Sequence, residues 1–190
     1  MCYSRSELLD IAKVLKKHSH VYILSDDIYE HIFYEVDNRS NDDKFINILE
    51  VAEELKNRTV IVNGVSKSYA MTGWRIGYGA ASKEIIQAIS KLQSQSTTNP
   101  SSISQAAAVE ALLGKQNFIR ERSSDFKKRR DYVVKELNSI KGLSCVNPKG
   151  AFYVFPSCKN TMGKKTVGGT IIKTDTDFVS NLLDLSLIHI

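Results

Sequence analysis

Lys67, Arg75, Asp26 and Tyr29 are the side chains whose types and spacing suit chemistry. Lys67 lies in "GVSKSYAMTGWRIGYG", residues 64–79, between Ser66 and Ser68 and framed by Gly64, Gly73, Gly77 and Gly79, with Arg75 eight residues further on. The β-branched run Thr59 to Asn63 just before it reads as a buried strand. The lysine therefore falls in the loop at a strand end, where open α/β sheets bind ligands. Upstream, "VYILSDDIYEH" is apolar from Val21 to Leu24, reaches Asp26 and carries Tyr29 three residues later. That predicts a carboxylate at the C-terminal tip of a second buried strand of the parallel type. A neutral lysine amine is a nucleophile and a base, and the planar fork of an arginine matches a phosphate dianion. Taken alone, Lys67 reads as readily as a solvated loop cation, and Tyr29 as a half-buried tyrosine at a strand end.

Read whole, "GVSKSYAMTGWRIG" resembles the pyridoxal-phosphate attachment motif of class I and II aminotransferases: small residues before the lysine, then Ala70 and Met71, then Gly73, Arg75 and Gly77. "SDDIYEH" is similar to the aspartate–tyrosine pair that holds the cofactor ring in that family. The likeness is to the bacterial-type aspartate aminotransferase branch, and it runs from Ser4 through "SQSTTNP" and "GAFYVF" to about Leu183. The resemblance implies that Lys67 condenses with the aldehyde of pyridoxal 5'-phosphate and later carries the substrate Cα proton. It implies that Asp26 pairs with the pyridine nitrogen, that Tyr29 donates to the phenolate oxygen, and that Arg75 clamps the phosphate with Ser66 beside it. Gly64 stands where many relatives have a serine, so one hydroxyl is lost there. No arginine precedes Asn99 in "SQSTTNP", where one branch of the family reads the substrate's distal carboxylate; Thr98 and Asn99 read less readily as contacts to a neighbouring subunit's site than as loop residues.

The same resemblance implies fold type I: an α/β part of a mostly parallel sheet flanked by helices, followed by part of a smaller α+β domain. Residues 1–114 would close the large cofactor-binding domain and 115–190 would begin the small one. The activity implied is amino transfer from an amino acid, aspartate for preference, to a 2-oxo acid such as 2-oxoglutarate, in a homodimer. Other readings on the same scaffold are a pyridoxal-phosphate-dependent lyase or synthase, or the sensor domain of a transcription regulator. Family members are longer. The glycine-rich phosphate loop, the stacking aromatic, the Asn-Pro-Thr-Gly turn and the arginine for the substrate α-carboxylate have no counterpart here, so the chain reads as a fragment not expected to turn over substrate alone. The final "LSLIHI", residues 185–190, breaks the helical pattern before it and reads as a non-native tail.

The elements that must position these groups follow from periodicity. Ser4 and Glu7 have capping-box spacing ahead of a helix with Leu8, Ile11, Ala12 and Leu15 on one face. "NRSNDD" reads as a surface loop and "INILEVAEEL" as a short helix. "WRIGYGAA" reads as a third strand that packs Trp74, and Ser82 as the cap of a helix turning Ile85, Ile86, Ile89 and Leu92 inward. An alanine-rich helix stops at Gly114, and a long charged helix runs from about Gln116 to Ile140. Beyond it, "LSCV" and "GAFYVFP" suggest short strands, and a last helix starts near Thr176.

With 190 residues, 42% hydrophobic and 25% charged, the chain has globular composition. It lacks an apolar run of membrane-spanning length or a signal-peptide core, which implies a soluble cytoplasmic protein. Cys2, Cys145 and Cys158 read as unpaired thiols, without the spacing of a metal site. The net charge of +5 and "KKRR" at residues 127–130 raise a nucleic-acid reading. An amphipathic helix is preferred, burying Phe126, Tyr132, Val133, Val134 and Leu137 with its basic residues in water.

Overall fold

The computed structural model describes residues 3–34 and 45–185. The segment "NRSNDD" and all of "LSLIHI" after Leu185 lie outside the described residues. Helix α1 (Arg5–Lys17) starts as its capping box dictates: Ser4 Oγ accepts the Glu7 N–H at 3.3 Å and Glu7 Oε2 accepts the Ser4 N–H at 2.7 Å. Its inner face buries Leu8 and Ala12 with Ile46, Ile48, Ala52 and Leu55, and Leu15 and Ile23 pack against that cluster. Arg58 closes the far end of the helix, donating to the carbonyls of Leu15 (2.6 Å), His18 (3.0 Å) and Val21. The helix expected over "INILEVAEEL" forms instead as two 3-10 turns, Ile48–Glu50 and Glu53–Arg58. Asn47 and Glu50 cap the first locally, and Ala52, at φ −152° and ψ 68°, interrupts any continuous helix.

The sheet has strand order β1-β2-β3, with β1 (Ile23–Asp26), β2 (Thr59–Gly64) and β3 (Gly77–Ala80). β1 and β2 are parallel, pairing Ile23 with Thr59 and Asp26 with Val62. β2 and β3 are antiparallel, pairing Ile61 with Ala80 and Gly64 with Gly77. The third strand begins later than its apolar run suggests. Trp74 ends a 3-10 turn (Thr72–Trp74), and Arg75 is left-handed at φ 56°, ψ 47°, so extended chain cannot start before Ile76. Trp74 is accordingly exposed rather than packed in a strand.

Helix α2 (Lys83–Ser94) begins after Ser82, whose side chain makes no capping bond; Ile85, Ile86 and Ile89 are half-buried, but Leu92 is exposed. Helix α3 (Ser102–Leu113) stops at Gly114, whose N–H reaches the Glu110 carbonyl at 2.8 Å. Helix α4 (Asn117–Ser139) follows. The chain's contacts divide within it: one compact unit runs to Phe126 and takes in Lys149–Ala151, and the other holds the rest. This division lies past the 114/115 boundary read from the sequence.

In the second unit the basic face of α4 is not wholly in water. Arg130 is buried, because its Nε pairs with Asp131 at 2.8 Å and its guanidinium donates to the Pro148 carbonyl. Tyr132, expected inside, is exposed, and Val134 is the buried apolar residue of this stretch. Asn138 holds both backbone groups of Cys145. The strands expected over "LSCV" and "GAFYVFP" are reduced to isolated bridges: Ser144 pairs with Ser157, just past the second run, and Gly150, its first residue, with Phe33, while Phe155 is exposed. Helix α5 (Asp175–Asp184) starts with a capping box formed by Thr174 and Asp177.

Candidate functional site

The register of the sheet explains why residues far apart in sequence meet at one edge. Asp26 is the last residue of β1 and pairs with Val62, and the N–H of Asp27 extends the ladder to the Val62 carbonyl at 2.9 Å. β2 continues two residues beyond this pairing to Gly64 and then, through the fully buried Val65, enters the turn that carries Ser66 and Lys67. β3 runs back from Gly77, opposite Gly64, so Arg75 stands at that same edge. Tyr29 belongs to the turn after β1, closed by bonds of 2.9 Å from Glu30 N–H to the Asp27 carbonyl and from Ile32 N–H to the Tyr29 carbonyl. Asp26, Tyr29, Lys67, Ser66 and Arg75 thus all leave the C-terminal edge of the parallel pair, the position at which such sheets bind ligands.

Local backbone geometry holds this edge in shape. A Cβ on Gly64 would lie 2.9 Å from the Ile76 carbonyl oxygen and 3.2 Å from the Gly77 Cα, so only glycine lets the lysine-bearing strand approach β3 this closely. The lysine turn is bonded from Tyr69 N–H to the Val65 carbonyl (3.3 Å), Ala70 N–H to that of Lys67 (3.2 Å) and Met71 N–H to that of Ser66 (3.1 Å). Ala70 and Arg75 both take positive φ, a strained choice for non-glycine residues that is sustained only where surroundings impose it. The Arg75 guanidinium donates to the Thr72 carbonyl at 2.9 Å.

The two adjacent aspartates lie in different environments. Asp26, expected as a buried carboxylate, is exposed, whereas Asp27 is buried and accepts from Ser25 Oγ at 2.8 Å and from Asn47. Strand alternation is the reason. Ile23 and Ser25 face the α1 core, and Leu24 and Asp26 face the opposite side, where Leu24 is 68% exposed. On that opposite side, which Asp26 shares with its strand partner Val62, a cleft of about 720 Å³ is lined by Val60, Val62, Arg75, Gly77, Gly79 and Asn99. Lys67 and Ser66 are half-buried.

Sequence reasoning missed the supports. Asn63 Nδ2 donates to Glu30 Oε1 at 2.8 Å, tying the Tyr29 turn to the end of β2, and Asn63 Oδ1 accepts the Gly64 N–H. Tyr69 O–H donates to Gln116 Oε1 at 2.9 Å. Burial, and then the nearby negative charge of Glu30, push the pKa values of Tyr69 and Tyr78 above the usual tyrosine range. Only an asparagine ending a β-branched strand hinted at any of this. Among the described residues no group of three or more His, Cys, Asp or Glu side chains is placed to hold a metal ion.

The family model for aminotransferase class I and II matches residues 1–189. The chain belongs to the class I and II aminotransferases. It is 50% identical over 182 residues to the aspartate aminotransferase of Rhizobium meliloti, covering 96% of this chain and 43% of that protein. It is equally identical to a probable aspartate/prephenate aminotransferase of Rickettsia conorii, covering 44% of it. The crystal structure of the Rhizobium meliloti aspartate aminotransferase superposes with a TM-score of 0.89 over 96% of this chain and 44% of that one. This aminotransferase chain therefore spans less than half the length of the relatives it matches, and its fold is that of the corresponding part of a fold type I enzyme.

Proposed function

We propose that the complete protein is a pyridoxal-phosphate-dependent aminotransferase that moves an amino group from aspartate, or a similar amino acid, to a 2-oxo acid such as 2-oxoglutarate. The observation that carries this reading is the register that brings Asp26, Lys67 and Arg75 to one sheet edge, where Arg75 also lines an open cleft. An amine, a guanidinium, a carboxylate and a phenol suit a small phosphorylated pyridine aldehyde, the carboxylate as acceptor and the others as nucleophile or donors. When bound, pyridoxal phosphate supplies an electron sink for the substrate Cα. Lys67 Nζ is the covalent attachment point and afterwards the base that removes and returns the Cα proton. The Asp26 carboxylate keeps the ring nitrogen protonated, and the Tyr29 hydroxyl bonds the ring oxygen. Arg75 would hold the phosphate by its guanidinium charge, with Ser66 as a further hydroxyl donor. Identity to aspartate aminotransferases along 96% of the chain supports amino transfer over a lyase, a synthase or a regulator's sensor domain. We further propose a homodimer in the cytoplasm, acting on small amino and oxo acids; no helix among the described residues is long and apolar enough to cross a membrane.

The test is chemical. The complete protein, loaded with pyridoxal phosphate, reduced with borohydride and digested, is expected to carry the pyridoxyl group on the peptide containing Lys67. Label on another lysine, or none on loaded protein, overturns the assignment. Lys67→Ala is expected to lower transamination by about 10³-fold or more while the protein still retains cofactor non-covalently through Asp26 and Arg75.

A further inference from the structure

Lys67 sits in a turn closed by three backbone bonds of 3.1–3.3 Å, and contacts from beyond the turn add to them. Two residues on, Tyr69 packs against the buried Val65, Ile76 and Ala108. Its ring meets His31 edge-on at 6.3 Å and Phe118 at 6.0 Å, within the range of favourable aromatic pairs. His31 lies two residues past Tyr29, so this one ring touches both turns that carry proposed cofactor contacts. Its hydroxyl is fixed as well. Gln116 spends its Nε2 hydrogens on the carbonyls of Ala111 (2.9 Å) and Gly114 (2.8 Å) at the end of α3, which leaves Oε1 to accept the Tyr69 O–H at 2.9 Å. Arg122, with its guanidinium 4.9 Å above the Phe118 ring, reaches the Ser68 carbonyl from the same helix.

Resting on the aminotransferase reading above, we propose that Tyr69 and Gln116 are positioning residues for Lys67: the hydroxyl–amide bond locks the lysine turn to the end of α3. Neither touches substrate or cofactor. Burial and the Glu30 charge raise the Tyr69 pKa, so the phenol stays a donor through the neutral range. A misplaced amine should slow the capture of an aldehyde far more than it lowers stability, because reaction needs a near-attack geometry.

The experiment uses the complete protein and follows the rate at which cofactor-free protein captures added pyridoxal phosphate, read from the visible absorbance, together with Tm. Tyr69→Phe removes only the hydroxyl; it is expected to slow capture about tenfold with little change in Tm. In a Gln116→Ala background the same substitution is expected to slow capture no further. Capture by Tyr69→Phe within about twofold of wild type, or slowing that adds fully to that of Gln116→Ala, overturns the proposal. If Tyr69→Phe does not fold, Gln116→Met, which keeps the length but removes the acceptor, carries the same comparison. Borohydride labelling of the wild type separates the two readings: no label at Lys67 removes both, whereas label at Lys67 with unaffected variants removes the positioning role alone.

Discussion

At the scale of single residues, the adjacent Asp26 and Asp27 show how one step along a strand divides chemistry from architecture. Asp26 is exposed at the site edge, and its carboxylate accepts the Ile28 N–H at 3.2 Å; Asp27 is buried and bonded to Ser25 and Asn47. Asp26→Ala in the complete protein is therefore expected to lower kcat by about 10²–10³-fold and leave Tm nearly unchanged. Asp27→Ala is expected to do the reverse, losing about 1–3 kcal/mol through the orphaned Asn47 amide while the pyridoxyl label still forms on Lys67. Steady-state kinetics beside thermal melts distinguish them, and an Asp26→Ala protein with near-normal turnover would make that carboxylate structural. "SDDIY" names both aspartates. Choosing the outer one rests on its spacing from Tyr29, and its exposure was not legible, because burial depends on what covers the far face of β1.

At the scale of elements, the sequence was most informative where the controlling contacts are local. The capping box of α1 could be read from Ser4 and Glu7, and that of α5 is of the same kind; both form across a single turn. The Ser4 backbone N–H, then its side chain, lowers the pKa of Glu7; backbone bonds from Lys173 and Thr174 lower that of Asp177. A carboxylate lowered on folding contributes stability above its unfolded pKa and loses it as pH falls through the folded value. Helical circular dichroism is thus expected to decline as pH drops below about 4. Ser4→Ala is expected to cost about 1 kcal/mol at neutral pH and to flatten part of that acid response. An unchanged acid titration in Ser4→Ala would show that the box does not govern it. Elements controlled at a distance were harder to read. The closing of α1 by Arg58, some forty residues on, leaves no mark in local periodicity, and the apolar run at Trp74 reads as strand although Arg75 turns left-handed.

At the scale of the whole molecule, the apolar surface is as informative as the cores. Leu92 and Ile103 are each 73% exposed, Leu113 82% and Phe155 98%, large apolar side chains that a partner surface could cover. The chain covers less than half of its relatives. Expressed alone, the 190 residues are expected to bind an environment-sensitive hydrophobic dye, to self-associate in light scattering and to hold pyridoxal phosphate weakly. A dye-negative, monodisperse chain that unfolds cooperatively would contradict this. The sequence by itself determined the chemistry available and its place on the elements: the lysine turn after a β-branched strand, the aspartate at a strand tip, the glycines and the capping box of α1. Each of these follows from interactions within a few residues. The tertiary structure alone decided which strands pair and in what register, hence that Asp26, Lys67 and Arg75 share an edge. It also decided that Arg130 is buried against Pro148 and that Tyr69 is tied to Gln116. Those outcomes depend on through-space contacts between segments tens of residues apart, and no local pattern records a bond whose partner arrives from elsewhere in the chain.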